Sequence, residues 1–209
     1  MSESITKEQL EEALSDYNKA YDFTLKTHKS DMDRINGLNG LMKNFDDFFY
    51  EYVYVVLASG FKGKIAARLT PKLVECHGDM DKMLEIFKNT KKLNSIKKVW
   101  DMKNDWDELR KSFKTVDDLV KLPYIGDVTK FHLARNIGLL SCAKPDLHLC
   151  KWVEKITGNN DEKTVSMVTQ AIADKLERKQ GTVDFALWVW LSHHQGEEAE
   201  CCHGGYALR

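Results

Sequence analysis

Proline is scarce in this chain: Pro71, Pro123 and Pro145 are the only three in 209 residues. Proline removes an amide donor and clashes with the preceding helical turn, so its rarity leaves long stretches able to run as helices, and an all-α fold is the first expectation. Cysteine is also sparse, and its count is odd: the five residues Cys76, Cys142, Cys150, Cys201 and Cys202 give no even disulfide framework. The N-terminal MSESITKEQLEEAL has no apolar signal core, and with reduced cysteines this points to an intracellular setting, the cytoplasm or, in a eukaryote, the nucleus. Long apolar runs are missing too. YVYVVLASGF is the nearest approach and falls well short of the roughly 18 apolar residues that a membrane span needs, so no membrane partner is expected. Charge of one sign is not in excess either: the net value is −1, and nothing in the overall balance demands a polyanionic partner.

What is present is helical periodicity. The length suits one or two compact domains with a real core. A helix over 6–28 opens on a Thr6-x-x-Gln9 capping box and carries Leu10, Leu14, Tyr17 and Tyr21 at helical spacing. Gly37 and Gly40 mark a connection. Over 44–58 the residues Phe45, Phe48, Phe49, Tyr52, Val55 and Val56 form the wide stripe of a buried helix that stops near Ser59-Gly60. Shorter helices follow at 63–75, 78–89, 94–102 and 106–113, and the segment Phe185 to Leu191, with Trp188 and Trp190, reads as a last helix closing the core. Such a series fits a helical bundle. The segment IFKNTKKLNSIKKVW places Lys88, Lys91, Lys92, Lys97 and Lys98 within eleven positions, which is either a solvated helix face or a basic patch.

The most informative stretch is 115–157. Thr115 is a candidate N-cap with Asp118 three residues on, and Val116, Leu119 and Val120 share one side. The helix should end near Leu122, because Pro123 disfavours helical conformation in the residue before it. Tyr124-Ile125-Gly126 then makes a turn in which Gly126 is the residue able to take positive φ. A second helix from Asp127 turns Phe131, Leu133, Ala134, Ile137 and Leu140 inward and leaves Lys130, Arg135 and Asn136 outside. Helix, tight turn, helix is either a plain αα-hairpin or a helix-hairpin-helix whose exposed amides hold one DNA phosphate without reading sequence. Further on, Lys144-Pro145-Asp146-Leu147-His148 sets Asp146 as the N-cap of a helix through Leu149, Trp152, Val153 and Ile156.

Leu122, Pro123, Ile125 and Gly126, followed by Asp146 and His148, resemble the helix-hairpin-helix DNA glycosylase superfamily (endonuclease III-like), whose members carry a Leu-Pro-Gly-[IV]-Gly hairpin and then an Asp, often as Asp-x-His. The resemblance covers 115–157 well and 40–113 more faintly. It implies two helical lobes: 38–138, barrel-like and ending in the hairpin at 115–138, and 1–37 with 139–209, carrying the aspartate. In that family the substrate cleft lies between the lobes. Asp146 then matches the catalytic carboxylate, which stabilises positive charge on the sugar as the bond to the base breaks. The expected DNA-binding residues are Leu122, Tyr124, Ile125, Gly126, Val128, Thr129 and Lys130, joined by Lys97 and Lys98, and His148, Trp152 and Trp100 are candidate pocket residues. The implied partner is double-stranded DNA, bound by a monomer with no cofactor and no metal.

Relatives that also cut the strand carry a lysine two residues beyond the second hairpin glycine. Val128 holds that position here, with Lys130 two further along, so the implied activity is that of a monofunctional DNA N-glycosylase that removes a damaged or modified base by hydrolysis. The chain departs from the family elsewhere. Tyr124 replaces the first hairpin glycine, Leu57-Ala-Ser-Gly-Phe-Lys lacks the glutamine with which many relatives fill the gap left by a flipped base, and the four-cysteine iron-sulfur loop is absent. Cys201-Cys202-His203, after His193-His194, matches no defensible zinc spacing and is read as a tail. Two alternatives stay open: a divergent enzyme of viral DNA base hypermodification, and a non-catalytic DNA-binding module in which Asp146 is only a cap.

Overall fold

A computed structural model of the chain describes residues 5–198. Cys201, Cys202 and His203 lie outside the described residues. Among those described the regular structure is helical, with no strand: α1 (Lys7–Thr27), α2 (Lys29–Gly37), α3 (Phe45–Ala58), α4 (Gly63–Val74), α5 (Met80–Ile86), α6 (Thr90–Trp100), α7 (Trp106–Lys111), α8 (Thr129–Asn136), α9 (Leu147–Thr157), α10 (Glu162–Lys175) and α11 (Gln180–Glu198). Short 3₁₀ helices occupy Lys103–Asp105 and Val116–Lys121. The all-α expectation holds. The chain divides into two compact units, one running to Asn36 and resuming at Pro145, the other Gly37–Lys144.

The first unit is built on α1, α9, α10 and α11. The capping box at the start of α1 is formed in both directions, Gln9 N donating to Thr6 Oγ1 and Thr6 N to Gln9 Oε1. The same glutamine's amide donates to the Ile156 carbonyl and so ties α1 to the end of α9. Ala13, Tyr17, Ala20 and Thr24 form the buried side of α1, and the small alanines allow close approach to α11, where Thr24 Oγ1 lies 3.3 Å from the Ala186 carbonyl. Val183, Ala186, Leu187 and Val189 of α11 are fully buried, which makes it a central core helix.

The second unit is organised by α3. Phe48, Phe49, Tyr52, Val53, Val55, Val56 and Leu57 are buried almost all round the helix, which places it in the middle of its unit. Aromatic rings surround it: Phe48 stacks on Trp106 at 4.2 Å and Phe45 on Phe49 at 5.6 Å. Trp106 Nε1 donates to the Lys43 carbonyl. Helix α6 starts at Thr90 rather than near residue 94, because the Asn89 side chain caps it by accepting from Lys92 N, and this brings Lys91 and Lys92 into its first turn.

Three expectations for the hairpin region are corrected. Residues 116–121 wind as a 3₁₀ helix, whose three-residue turn aligns Val116, Leu119 and Leu122; Val120 is left 45% exposed. The Asp118 carboxylate accepts from Lys114 N and Thr115 N, and its bonds to Lys121 and to these amides hold it far below the usual carboxylate range. Helix α8 starts at Thr129, not Asp127, and buries Arg135 and Asn136 instead of exposing them, since Asn136 Nδ2 donates to buried Glu51 Oε2 of α3 at 2.8 Å. The same helix is over by Gly138, so Leu140 falls off its inner face and is 50% exposed. Residues 139–144 stay with the second unit, where the buried Cys142 thiol meets the Phe131 carbonyl.

One side chain of α3 reaches the hairpin. The Tyr52 hydroxyl donates to the Pro123 carbonyl at 2.6 Å and lies 3.3 Å from the Ser95 carbonyl of α6. It has a single proton, which the nearer oxygen takes. Burial pushes the phenol far above its ordinary pKa. At the other end of α8, Gly138 adopts φ +75° with the Gly40 backbone pressed against it, and Ile137 O accepts from Met42 N.

Two substitutions test this frame. Gly138→Ala puts a Cβ 2.3 Å from the Gly40 oxygen at a left-handed φ and is expected to destabilise the protein by about 2 kcal/mol or more, read as a lower urea midpoint at unchanged m-value. Tyr52→Phe strips the Pro123 carbonyl of its donor and is expected to cost about 1–3 kcal/mol in the same assay.

Candidate nucleic-acid interface and catalytic carboxylate

The hairpin turn is anchored by apolar pegs on either side of Tyr124. Leu122, extended as the residue before a proline should be, and Ile125 are both buried, and Ile125 N donates to the Leu122 carbonyl. Between them Tyr124 takes φ +68°, so the left-handed position of the turn is Tyr124 and not Gly126, whose φ is ordinary and whose Cβ position is open. A side chain in that region costs roughly 1–2 kcal/mol, which is why glycine suits it. Here the ring packs against the core cluster with the Lys92 ammonium 5.4 Å and the Lys91 ammonium 5.9 Å from its centroid.

Past the turn, the Gly126 amide donates to Thr129 Oγ1 at 2.8 Å, so one of the amides expected at a phosphate is used within the hairpin. Lys130 N closes on the Gly126 carbonyl. The amides of residues 127–129 have no acceptor within the turn or α8, as the first amides of a helix lack one, and they present the donor set that an anion requires. Val128, which the sequence resemblance sets at the position of the strand-cleaving lysine, is 43% exposed.

The lysine run separates into distinct roles. Lys92 is 2% exposed and is not part of a surface patch: its ammonium donates to the Leu57 and Ser59 carbonyls at the end of α3 and lies 4.6 Å from the Phe61 ring centroid. Burial lowers its pKa. Lys97 is half-buried and paired with Asp101 at 2.7 Å, whereas Lys98 and Lys91 are exposed. Lys130, on the hairpin itself, is paired with Asp117 at 2.8 Å, and Lys121 with Asp118 at 2.9 Å.

In the first unit Asp146 is the N-cap of α9. Its backbone is extended, with φ −90° and ψ 174°, and its Oδ1 accepts from His148 N at 3.0 Å and Leu149 N at 3.2 Å. Those two bonds fix the plane of the carboxylate. Asp146 and His148 are half-buried, while Leu149, Trp152, Val153 and Ile156 hold α9 in its core. Trp152 Nε1 donates to Asp16 Oδ2. Trp100, in the second unit, stacks on His77 at 5.1 Å, meets Phe45 and Phe49 edge-on and lies under the Lys103 ammonium, so protein partners already occupy its ring. Among the described residues no group of three or more His, Cys, Asp or Glu is placed to hold a metal ion, and no helix is long and apolar enough to cross a membrane.

Sequence reasoning missed Tyr52 and Lys92. Tyr52 read as one more member of a buried stripe; a tyrosine among phenylalanines was the available signal, since a buried phenol requires an acceptor. For Lys92 no signal existed, because the carbonyls it serves are more than thirty residues away in the chain.

No family model and no curated protein sequence matches the chain. Two solved structures do. One is the 8-oxoguanine glycosylase/lyase of Methanocaldococcus jannaschii in complex with a 15mer DNA containing 8-oxoguanine, at 15% identity and a TM-score of 0.64, covering 84% of this chain and 96% of that one. The other is the 8-oxoguanine DNA glycosylase of Thermotoga maritima, at 17% identity and a TM-score of 0.68, covering 87% of this chain and 96% of that one. Over nearly their whole lengths, and at an identity that speaks for architecture alone, this chain has the all-helical fold of the 8-oxoguanine DNA glycosylases.

Proposed function

We propose that the protein is a monofunctional DNA N-glycosylase in which Asp146 is the catalytic carboxylate. The observation that carries this is a carboxylate held in a fixed orientation at the start of α9 in a chain of glycosylase fold, together with a hairpin that offers the backbone amides of residues 127–129 to a phosphate. The amides hold the duplex backbone without reading its sequence. With the target base extruded, breaking the N-glycosidic bond leaves positive charge on the deoxyribose, which the Asp146 carboxylate stabilises. Water then adds to the anomeric carbon, giving up a proton, and the base leaves with the bonding electrons and takes up a proton. Val128 offers no amine, so no Schiff base forms at that position and the product is an intact strand with an abasic site. Both structural neighbours are named for 8-oxoguanine, which makes it the first base to test.

A second reading, a non-catalytic DNA-binding module, is favoured by one fact: Asp146 already has a structural task as the cap of α9. Asp146→Asn separates the two, because asparagine caps a helix about as well as aspartate. Duplexes carrying 8-oxoguanine, uracil or hydroxymethyluracil are treated with each protein, then with alkali, and intact strands are weighed by mass spectrometry. The variant is expected to keep its stability and duplex affinity while base release falls by about 100-fold or more. Equal base release by variant and wild type removes Asp146 from catalysis, and strands of unchanged mass with every base favour the non-catalytic module.

A further inference from the structure

Tyr124 holds the left-handed position at φ +68°, where glycine is free of strain. Such strain persists when the surroundings over-determine it and concentrates where a side chain has a task. The surroundings here are specific. Lys92 is buried beneath the ring, fastened to the Leu57 and Ser59 carbonyls, and the ring packs on the core cluster. Its hydroxyl has no hydrogen-bond partner among the described residues, although a phenol offers both a donor and an acceptor.

Most of the charge around the turn is cancelled in pairs. Lys121 is held by Asp118, and Lys130 by Asp117 with Asp127 nearby, so neither presents an uncompensated charge at the hairpin. Lys91 differs. It is exposed, forms no ion pair among the described residues, and its ammonium lies 5.9 Å from the Tyr124 ring centroid. The adjacent lysines thus divide their labour: Lys92 points inward and supports the ring, and Lys91 brings an unneutralised ammonium to its side.

We infer that Lys91 and the Tyr124 hydroxyl together form a side-chain contact to a DNA backbone phosphate beside the hairpin amides, so that this chain adds a charge and a phenol to a grip made elsewhere by backbone alone. The inference rests on the proposed function, since it takes the hairpin's ligand to be duplex DNA. An ammonium and a hydroxyl both donate to phosphate oxygens, and only the ammonium displaces a counterion.

That difference supplies the test. Binding of a labelled, undamaged duplex is measured by fluorescence anisotropy across a potassium chloride series for the wild type, Lys91→Gln and Tyr124→Phe, with thermal melts confirming that all three fold alike. Lys91→Gln is expected to weaken binding and lower the slope of log K against log salt by about 1. Tyr124→Phe keeps the ring and is expected to weaken binding about 3- to 10-fold at unchanged slope. A wild-type slope in Lys91→Gln, or wild-type affinity in Tyr124→Phe, overturns the paired contact and leaves the proposed function standing. A wild-type protein that binds no duplex at any salt overturns both.

Discussion

The hydrogen bond from Tyr52 to the Pro123 carbonyl is the point on which the hairpin depends. Pro123 has no amide hydrogen, so the turn is short of one donor. A phenol from the most buried helix of the unit supplies the bond, and the apolar residues on either side of the turn, Leu122 and Ile125, insert into the same core. The turn is therefore positioned by packing and not by its own propensity. This matters because amides that bind a phosphate must be aimed in advance; a loose turn would lose, in ordering, much of what the contact provides.

The electrostatics around the hairpin are local and largely cancelled. Acids of the 3₁₀ helix, Asp117 and Asp118, neutralise Lys130 and Lys121, and Lys97 has its own partner in Asp101. A net charge near zero is thus reproduced at small scale, and what remains for a polyanion is a few backbone amides and the lysines without a partner. Lys92 shows the opposite use of a cation. Buried against the last carbonyls of α3, it completes a helix C-terminus, where the helix dipole favours positive charge, and burial lowers its pKa only because the charge is costly there.

In the proposed function Asp146 combines a structural with a chemical task. An N-cap needs a short side chain with an acceptor oxygen, held in extended backbone at the start of a helix. A carboxylate that must face a developing cation needs a fixed orientation and must not wander. The two amide bonds to Oδ1 meet both requirements.

What the sequence by itself determined is what local rules determine. The all-helical class followed from few prolines and regular apolar spacing, the caps at Thr6 and Asp146 from residue type and position, and the hairpin from Leu122-Pro123 with a glycine close behind. Each of these depends on atoms within about four residues along the chain. The tertiary structure decided the rest. The three-residue turn of 116–121 turned Val120 outward, a carboxylate on α3 drew Asn136 of α8 inside, carbonyls at the end of α3 buried Lys92, and the packing of its ring placed Tyr124, not Gly126, in the left-handed position. In every case the partner comes from a distant part of the chain or the helix geometry answers to packing. Spacing shows which face of a helix is apolar, but only the folded neighbours decide which polar groups find a partner inside.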